Sequence, residues 1–201
     1  MKSLRITFFV VSLPSQTNIN TAMDKHLDFF NYDGCLIHYE GRIQNICQAK
    51  MYGEESIAKP ILLLAIIDSI TDGEIVINQI RLTEELIERY GKLMKTYAKN
   101  LEYYSKTPIY NPFWHLQGDS FWHLYGAECI KEQKNTPSVP WIQEHVLYAS
   151  VDEPLWILLQ NESMRLQLRD YIIEHKLTDD FSNGKKIVEG LGVLAAILLA
   201  A

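Results

Sequence analysis

NPFWHLQGDSFWHL, Asn111 to Leu124, writes the tetrapeptide Phe-Trp-His-Leu twice around Gln-Gly-Asp-Ser. Gly118-Asp119 between two runs of β-favouring aromatic residues is a turn signal, and the stretch reads as a hairpin. Folding about that turn pairs Leu116 with Phe121, Trp114 with His123, His115 with Trp122 and Phe113 with Leu124. Side chains alternate along a strand, so Trp114, Leu116, Phe121 and His123 share one face and Phe113, His115, Trp122 and Leu124 the other. Each face carries one His among apolar groups. A metal site needs imidazoles converging on one ion, and this register separates them. The hairpin is therefore expected to be covered on both faces and to act as a support.

Upstream, SIAKPILLLAIIDSITDG begins at Ser56. Ser56 can cap a helix, Pro60 falls in the first turn where a missing N–H costs nothing, and Ile61 to Ile67 is apolar all round. Such a helix belongs at the centre of the domain, ending at Asp72-Gly73. A short strand around Gln79 to Leu82 is expected next, followed by a helix capped by Thr83 with Glu84 and Glu85 in its first turn. Leu86, Ile87, Tyr90, Leu93, Met94 and Tyr97 form its apolar arc, with Arg89, Lys92, Lys95 and Lys99 opposite. Thr107-Pro108 and Asn111-Pro112 interrupt helical structure before the hairpin.

The flanks are less regular. Residues 24–56 read as a partly helical lead-in with turns at Asp33-Gly34 and Glu40-Gly41. Lys131 to Pro140 is a polar loop, and WIQEHVLYA, DEPLWILLQ (capped by Asp152) and ESMRLQLRDYIIEHKL read as short amphipathic helices. Residues 178–201 form a linker and an apolar tail whose run LGVLAAILLAA has 11 residues, against the roughly 20 needed to span a bilayer. The first 22 residues imitate a weak secretory signal or precede the natural start at Met23. The order of elements gives a mostly helical α+β domain over 23–177 with a small antiparallel hairpin, winged-helix-like in arrangement.

Composition sets limits on function. With 47% hydrophobic and 22% charged residues the chain reads as an ordinary globular protein, neither disordered nor fibrous. Cys35, Cys47 and Cys129 are odd in number and contain no C-x-x-C, which indicates neither a disulfide framework nor a zinc ribbon and points to a reducing, cytoplasmic setting. The net charge of −6 argues against indiscriminate nucleic-acid binding. Between Arg89 and Lys134, however, seven basic residues face four acidic ones, so one zone of an acidic protein could hold a polyanion.

Two anchors carry a family resemblance. Lys59-Pro60-Ile61-Leu62-Leu63-Leu64 opens the buried helix, and about 50 residues later comes Asn-Pro-Phe-Trp-His-Leu-x-x-Asp-x-Phe-Trp-His-Leu. Together they resemble the sulfur-binding domain of phosphorothioation-dependent restriction endonucleases, in which a His-Lys/Arg-Pro-Leu-Leu-Leu helix start is followed by Tyr-Pro-Phe-Trp-x-Leu. SVDEPLWILLQNESMRLQLRDYII resembles the family's helical C-terminal part, so the likeness runs from Ser56 to Leu177. It implies a partner, double-stranded DNA bearing sulfur in place of a backbone oxygen, a shallow apolar cavity that accepts the sulfur, and no cofactor. Carried onto this chain, Tyr110, Asn111, Pro112 and His115 would form the cavity and Lys59 would contact the backbone, with Phe113, Trp114 and Trp122 as packed support. Ala58 stands where the family often has His, and Asn111 where Tyr is usual.

Relatives of this kind usually add a His-Asn-His nuclease after the reader. His145, Asn161 and His175 occur in that order, but in amphipathic helical segments that suggest packing or surface roles. Asp119 with Glu132 and Lys134 imitates a Mg²⁺ nuclease pattern, two carboxylates for the ion and a Lys for the attacking water. The expectation is a non-catalytic DNA reader, either working beside a separate nuclease effector or representing a restriction enzyme shorn of its nuclease. A Mg²⁺ nuclease built on Asp119, Glu132 and Lys134, and an exported protein-interaction domain, are the alternatives.

Overall fold

The buried helix lies where the sequence puts it. The structure, a computed structural model, describes residues 31–51, 54–98, 107–133 and 135–178; the signal-like start, Lys99, Lys134 and the linker and tail beyond Thr178 lie outside them. In chain order its elements are α1 (Tyr32–Gln44), the two-residue strands β1 (Lys50–Met51) and β2 (Glu54–Glu55), α2 (Ala58–Thr71), α3 (Glu84–Tyr97), α4 (Tyr110–His115), β3 (Trp122–Gly126), α5 (Val139–His145), β4 (Val146–Val151), α6 (Glu153–Gln160) and α7 (Glu162–Ile172). β1 pairs antiparallel with β2, and β3 with β4.

Every residue of α2 from Pro60 to Ile67 is buried, and each large aliphatic side chain so placed contributes about 1.5–3 kcal/mol of transfer free energy. Ser56 Oγ accepts the Ala58 N–H at 3.4 Å. The helix ends at Asp72, and Gly73 turns the chain away at φ +74°, where a Cβ would be strained. α3 packs on α2 through Leu86, Tyr90 and Met94, and Thr83 caps it by accepting the Leu86 N–H at 3.3 Å. Arg89 adds a clasp, reaching Asp72 at 2.6 Å and Glu74 at 2.7 Å just past the end of α2.

The aromatic repeat is not a hairpin. Its first Phe-Trp-His-Leu completes α4 and enters a 3-10 turn, Leu116–Asp119, while its second runs from Phe121 into β3. Asn111-Pro112 begins the helix instead of preventing it, because Pro112 sits in the first turn where its N–H has no partner to lose. Burial decides the rest: Pro112, Phe113, Trp114 and Leu116 are all buried, which a strand with alternating sides cannot achieve beside a single layer of helix. Ser120, at φ 60°, carries the left-handed residue that reverses the chain.

The second copy does form a strand, with an unexpected partner. β3 pairs with β4 in the register Trp122↔Val151, His123↔Ser150, Leu124↔Ala149 and Tyr125↔Tyr148, with an irregularity before Gly126↔Val146. WIQEHVLYA is thus helical only to His145; Val146-Leu147-Tyr148-Ala149-Ser150-Val151 is rich in β-favouring residues and turns extended. On the other side of β4, the strand expected at Gln79 to Leu82 is reduced to one bridge, with Ile80 N–H donating to Ala149 O at 2.7 Å and Ala149 N–H to Ile80 O at 2.8 Å. Asn78 extends that edge with its side chain, its amide donating to Val151 O at 2.9 Å and accepting from Val151 N–H at 3.0 Å.

The lead-in differs too. Asp33-Gly34 and Glu40-Gly41 are not turns but lie inside α1, because Leu36, Tyr39 and Ile43 at helical spacing are buried and outweigh the local glycine preference. Asp152 precedes α6 as expected, but its carboxylate does not cap the helix. It accepts from the Tyr39 hydroxyl at 3.2 Å and pairs with His123 Nε2 at 2.7 Å, tying α1 to β3. Burial first, and the Asp152 charge second, push the Tyr39 phenol well above its ordinary range. α7 is capped by Asn161 and ends in a π-helical turn, Ile173–Leu177; Arg169 holds it to α2 through Asp68 at 2.7 Å. The result is the expected α+β class, mostly helical with small antiparallel strand pairs. Among the described residues no helix is long and apolar enough to cross a membrane.

Candidate functional site

The two copies of Phe-Trp-His-Leu meet as helix and strand. Phe113 and Trp122 pack edge to face with centroids 5.3 Å apart, and the Trp122 indole N–H donates to Phe113 O at 2.9 Å. β3 therefore fixes α4 from one side. From another, Trp114 packs with Ile130 and Ile142, and its ring meets Trp141 of α5 at 5.8 Å. α4 also packs on α2. Seated by three elements, this six-residue helix holds its side chains in fixed positions.

Those residues are the ones singled out from the sequence. Pro112 is buried, Tyr110 and Asn111 are half-buried, and His115 is exposed at the end of α4. The Tyr110 hydroxyl accepts from Gln143 Nε2 at 3.0 Å, and His115 Nε2 lies 2.8 Å from Thr136 Oγ1. Lys59 stands in the first turn of α2, and its ammonium reaches Asp119 Oδ2 at 2.5 Å. The side chains of Lys59 and Asp119 are only 12% and 7% exposed. Ala58 is buried beside it and presents no polar group.

His115 reports what surrounds it. Its imidazole pKa is lowered, first by the burial of its inner edge and second by the Lys59 charge. Lys59 and His115, 56 positions apart in the chain by number alone, thus share one electrostatic environment. A His whose folded-state pKa is depressed is held neutral, so its contribution to stability is complete above its unfolded value near 6.5 and is lost as pH falls through the folded one. The denaturant midpoint is accordingly expected to fall less between pH 7 and pH 5 in His115→Gln than in the parent. Identical pH profiles for the two proteins would contradict this.

The remaining candidates are distributed differently. Arg89 is clasped by Asp72 and Glu74, and Lys92 pairs with Glu88 at 2.9 Å on the exposed face of α3; Lys95 is exposed on the same helix, and Lys99 lies outside the described residues. Asp119 faces Lys59 and also accepts the Cys47 N–H at 2.9 Å, Glu132 is exposed after a 3-10 turn, and Lys134 lies outside the described residues. Among the described residues no group of three or more His, Cys, Asp or Glu side chains could hold a metal ion. His145 stacks on Trp141, Asn161 caps α7 and His175 stacks on Tyr171.

Two contacts are not signalled by the sequence. Asp119 is an ion-pair partner of Lys59 as well as a turn residue, and Arg42 of α1 donates to Ser120 Oγ in the same turn. Between α1 and that turn an open cleft of about 500 Å³ is lined by His38, Arg42, Asn45, Cys47, Asp119 and Ser120. No local pattern signals these contacts, since Arg42 and Ser120 are 78 positions apart. Chemically, the surface combines a buried proline edge, a neutral imidazole, an amide, a phenol and a guarded ammonium. Such a set suits a singly charged group with an apolar side.

Comparison with known proteins gives two findings. A family model described as "ScoMcrA-like, DNA sulfur-binding domain" matches residues 39–194. Among solved structures, the "Sulfur binding domain of SprMcrA complexed with phosphorothioated DNA" has the same fold, with a TM-score of 0.52 and 16% sequence identity, covering 72% of this chain and 86% of that one. No curated protein sequence matches the chain.

Proposed function

The chain belongs to the ScoMcrA-like DNA sulfur-binding domain family, and from that premise we propose that it binds double-stranded DNA and reads a backbone sulfur at the surface formed by Lys59, Tyr110, Asn111, Pro112 and His115. The observation that carries this reading is the packing of α4, which holds Tyr110, Asn111, Pro112 and His115, against α2, whose first turn holds Lys59. Sulfur is larger and more weakly hydrated than oxygen. Set against the proline edge, it forfeits little hydration, whereas an ordinary phosphate oxygen there loses hydrogen bonds worth about 1–3 kcal/mol. Lys59 supplies contact to the linkage's negative charge, and Asn111 and Tyr110 supply polar contacts beside it. A reader of this kind works in the cytoplasm where its DNA is, and cleavage is the task of a separate nuclease effector.

The test is a salt titration of binding to two duplexes of identical sequence, one with a single phosphorothioate and one without. A preference of about tenfold or more for the sulfur duplex follows from that penalty, since each 1.4 kcal/mol is tenfold. Pro112→Gly should reduce the preference, and Lys59→Ala should weaken binding to both duplexes and flatten the salt dependence. Equal binding to the two duplexes by the parent protein would overturn the reading.

A further inference from the structure

Lys59 is an unusual phosphate contact, because an acid already holds it. Its ammonium and the Asp119 carboxylate are 2.5 Å apart and both side chains are nearly buried. Asp119 is itself fixed from three directions: it accepts the Cys47 N–H at 2.9 Å, its carbonyl accepts the Phe121 N–H at 2.9 Å, and Arg42 anchors the neighbouring Ser120. An ammonium has three N–H donors, and among the described residues Asp119 is the single acceptor that Lys59 meets. Two donors remain for an incoming group.

We propose that Asp119 is the positioning and specificity-determining residue of this reader: it aims the Lys59 ammonium at the bound DNA backbone and cancels most of its charge at longer range. The inference rests on the reading given above. A free lysine attracts every phosphate alike, through a salt-sensitive and sequence-blind attraction that does not distinguish sulfur from oxygen. The Lys59–Asp119 pair is close to neutral from a distance, yet its two unused N–H groups still donate at contact. General attraction is thereby reduced while the contact that accompanies sulfur docking is kept, which raises the ratio of specific to non-specific binding. The acid that weakens the grip sharpens the choice.

The test is Asp119→Asn, which keeps an oxygen for the Cys47 N–H and removes the charge, set beside Lys59→Met and the double variant. Both duplexes are titrated against salt. In Asp119→Asn the unmodified duplex should bind several-fold more tightly at low salt. The slope of log affinity against log salt should steepen by up to about 0.9, the value for one further phosphate neutralised. The preference for sulfur should drop about threefold or more. In Lys59→Met/Asp119→Asn, where the pair is again neutral, the slope should return to the parent's, which shows that the effect passes through Lys59. A purely structural role would weaken binding to both duplexes alike with an unchanged slope, and that result overturns the inference. So does a steeper slope that persists in the double variant. A parent that keeps its sulfur preference while Asp119→Asn matches it in slope and ratio overturns the inference alone; a parent with no preference overturns it together with the reading on which it rests.

Discussion

Trp122→Ala is expected to lower the free energy of unfolding by about 3–5 kcal/mol, the cost of truncating a fully buried aromatic ring whose cavity cannot collapse. Trp122 is 1% exposed, meets Phe113 edge to face, and donates its indole N–H to Phe113 O. Its neighbours on the strand are pinned to β4, so β3 cannot shift inwards to fill the space. Urea denaturation should show a lower midpoint with an unchanged slope, the sign of lost stability without a change of denatured state. Trp122→Phe, which keeps most of the apolar volume and loses the donor, should cost markedly less. Because Trp122 is what α4 rests on, DNA binding should fall in the alanine variant even under conditions where it remains folded. A free energy of unfolding within about 1 kcal/mol of the parent's would mean that the helix and strand copies do not depend on one another.

Gly126→Ala should be comparably severe for a different reason. A Cβ at this position would lie 1.9 Å from His145 O, 2.8 Å from Ile130 Cδ1 and 3.0 Å from His145 C. The first of these atoms is backbone, already accepting the Ala127 N–H at 2.9 Å at the point where α5 gives way to β4. No rotamer relieves such a clash; the strands must part or the junction must move, at about 3 kcal/mol or more. For a domain of this size that corresponds to a drop in Tm of roughly 6–12 °C. Gly118→Ala is the control, since a Cβ there meets nothing within 4 Å, and it should leave Tm nearly unchanged. If the two alanine variants melt together, the close approach at Gly126 is not a constraint.

The helices α2 and α3 were legible because their signals are local. Apolar residues on every side of α2, a proline in its first turn, and Thr83 three residues before the Leu86 N–H it accepts are all contained within the segments themselves. The aromatic repeat misled because β-propensity expresses fit to a half-buried pleated surface and is not a property of the tetrapeptide. Phe113-Trp114-His115-Leu116 is helical and packs against α2, Trp122 and Trp141, and the same letters at Phe121 to Leu124 lead into the strand beside β4. The partner of β3 begins 24 positions further on at Val146, and nothing in the repeat points to it. In the candidate site, Lys59 and the α4 residues came from the family resemblance, and their joint location depends on α2 packing against α4. Asp119 reads from the sequence as a turn residue or a metal-binding carboxylate and not as the partner of Lys59, because the side chain that it holds is 60 positions away.

β4 has a further consequence, in time rather than in energy. It is bordered by β3 on one side and by Ile80 and Asn78 on the other, and the Asn78–Val151 contacts join residues 73 positions apart. At equilibrium so long a closure costs little more than a short one, since each doubling of loop length adds only about 0.6 kcal/mol. Non-local pairing is nevertheless slow to find, because the closure must be made before its contacts can reward it. A chain emerging from the ribosome has α2 and α3 complete well before Val151 exists. Until then β3, and with it the α4 helix that it seats, lacks its partner strand.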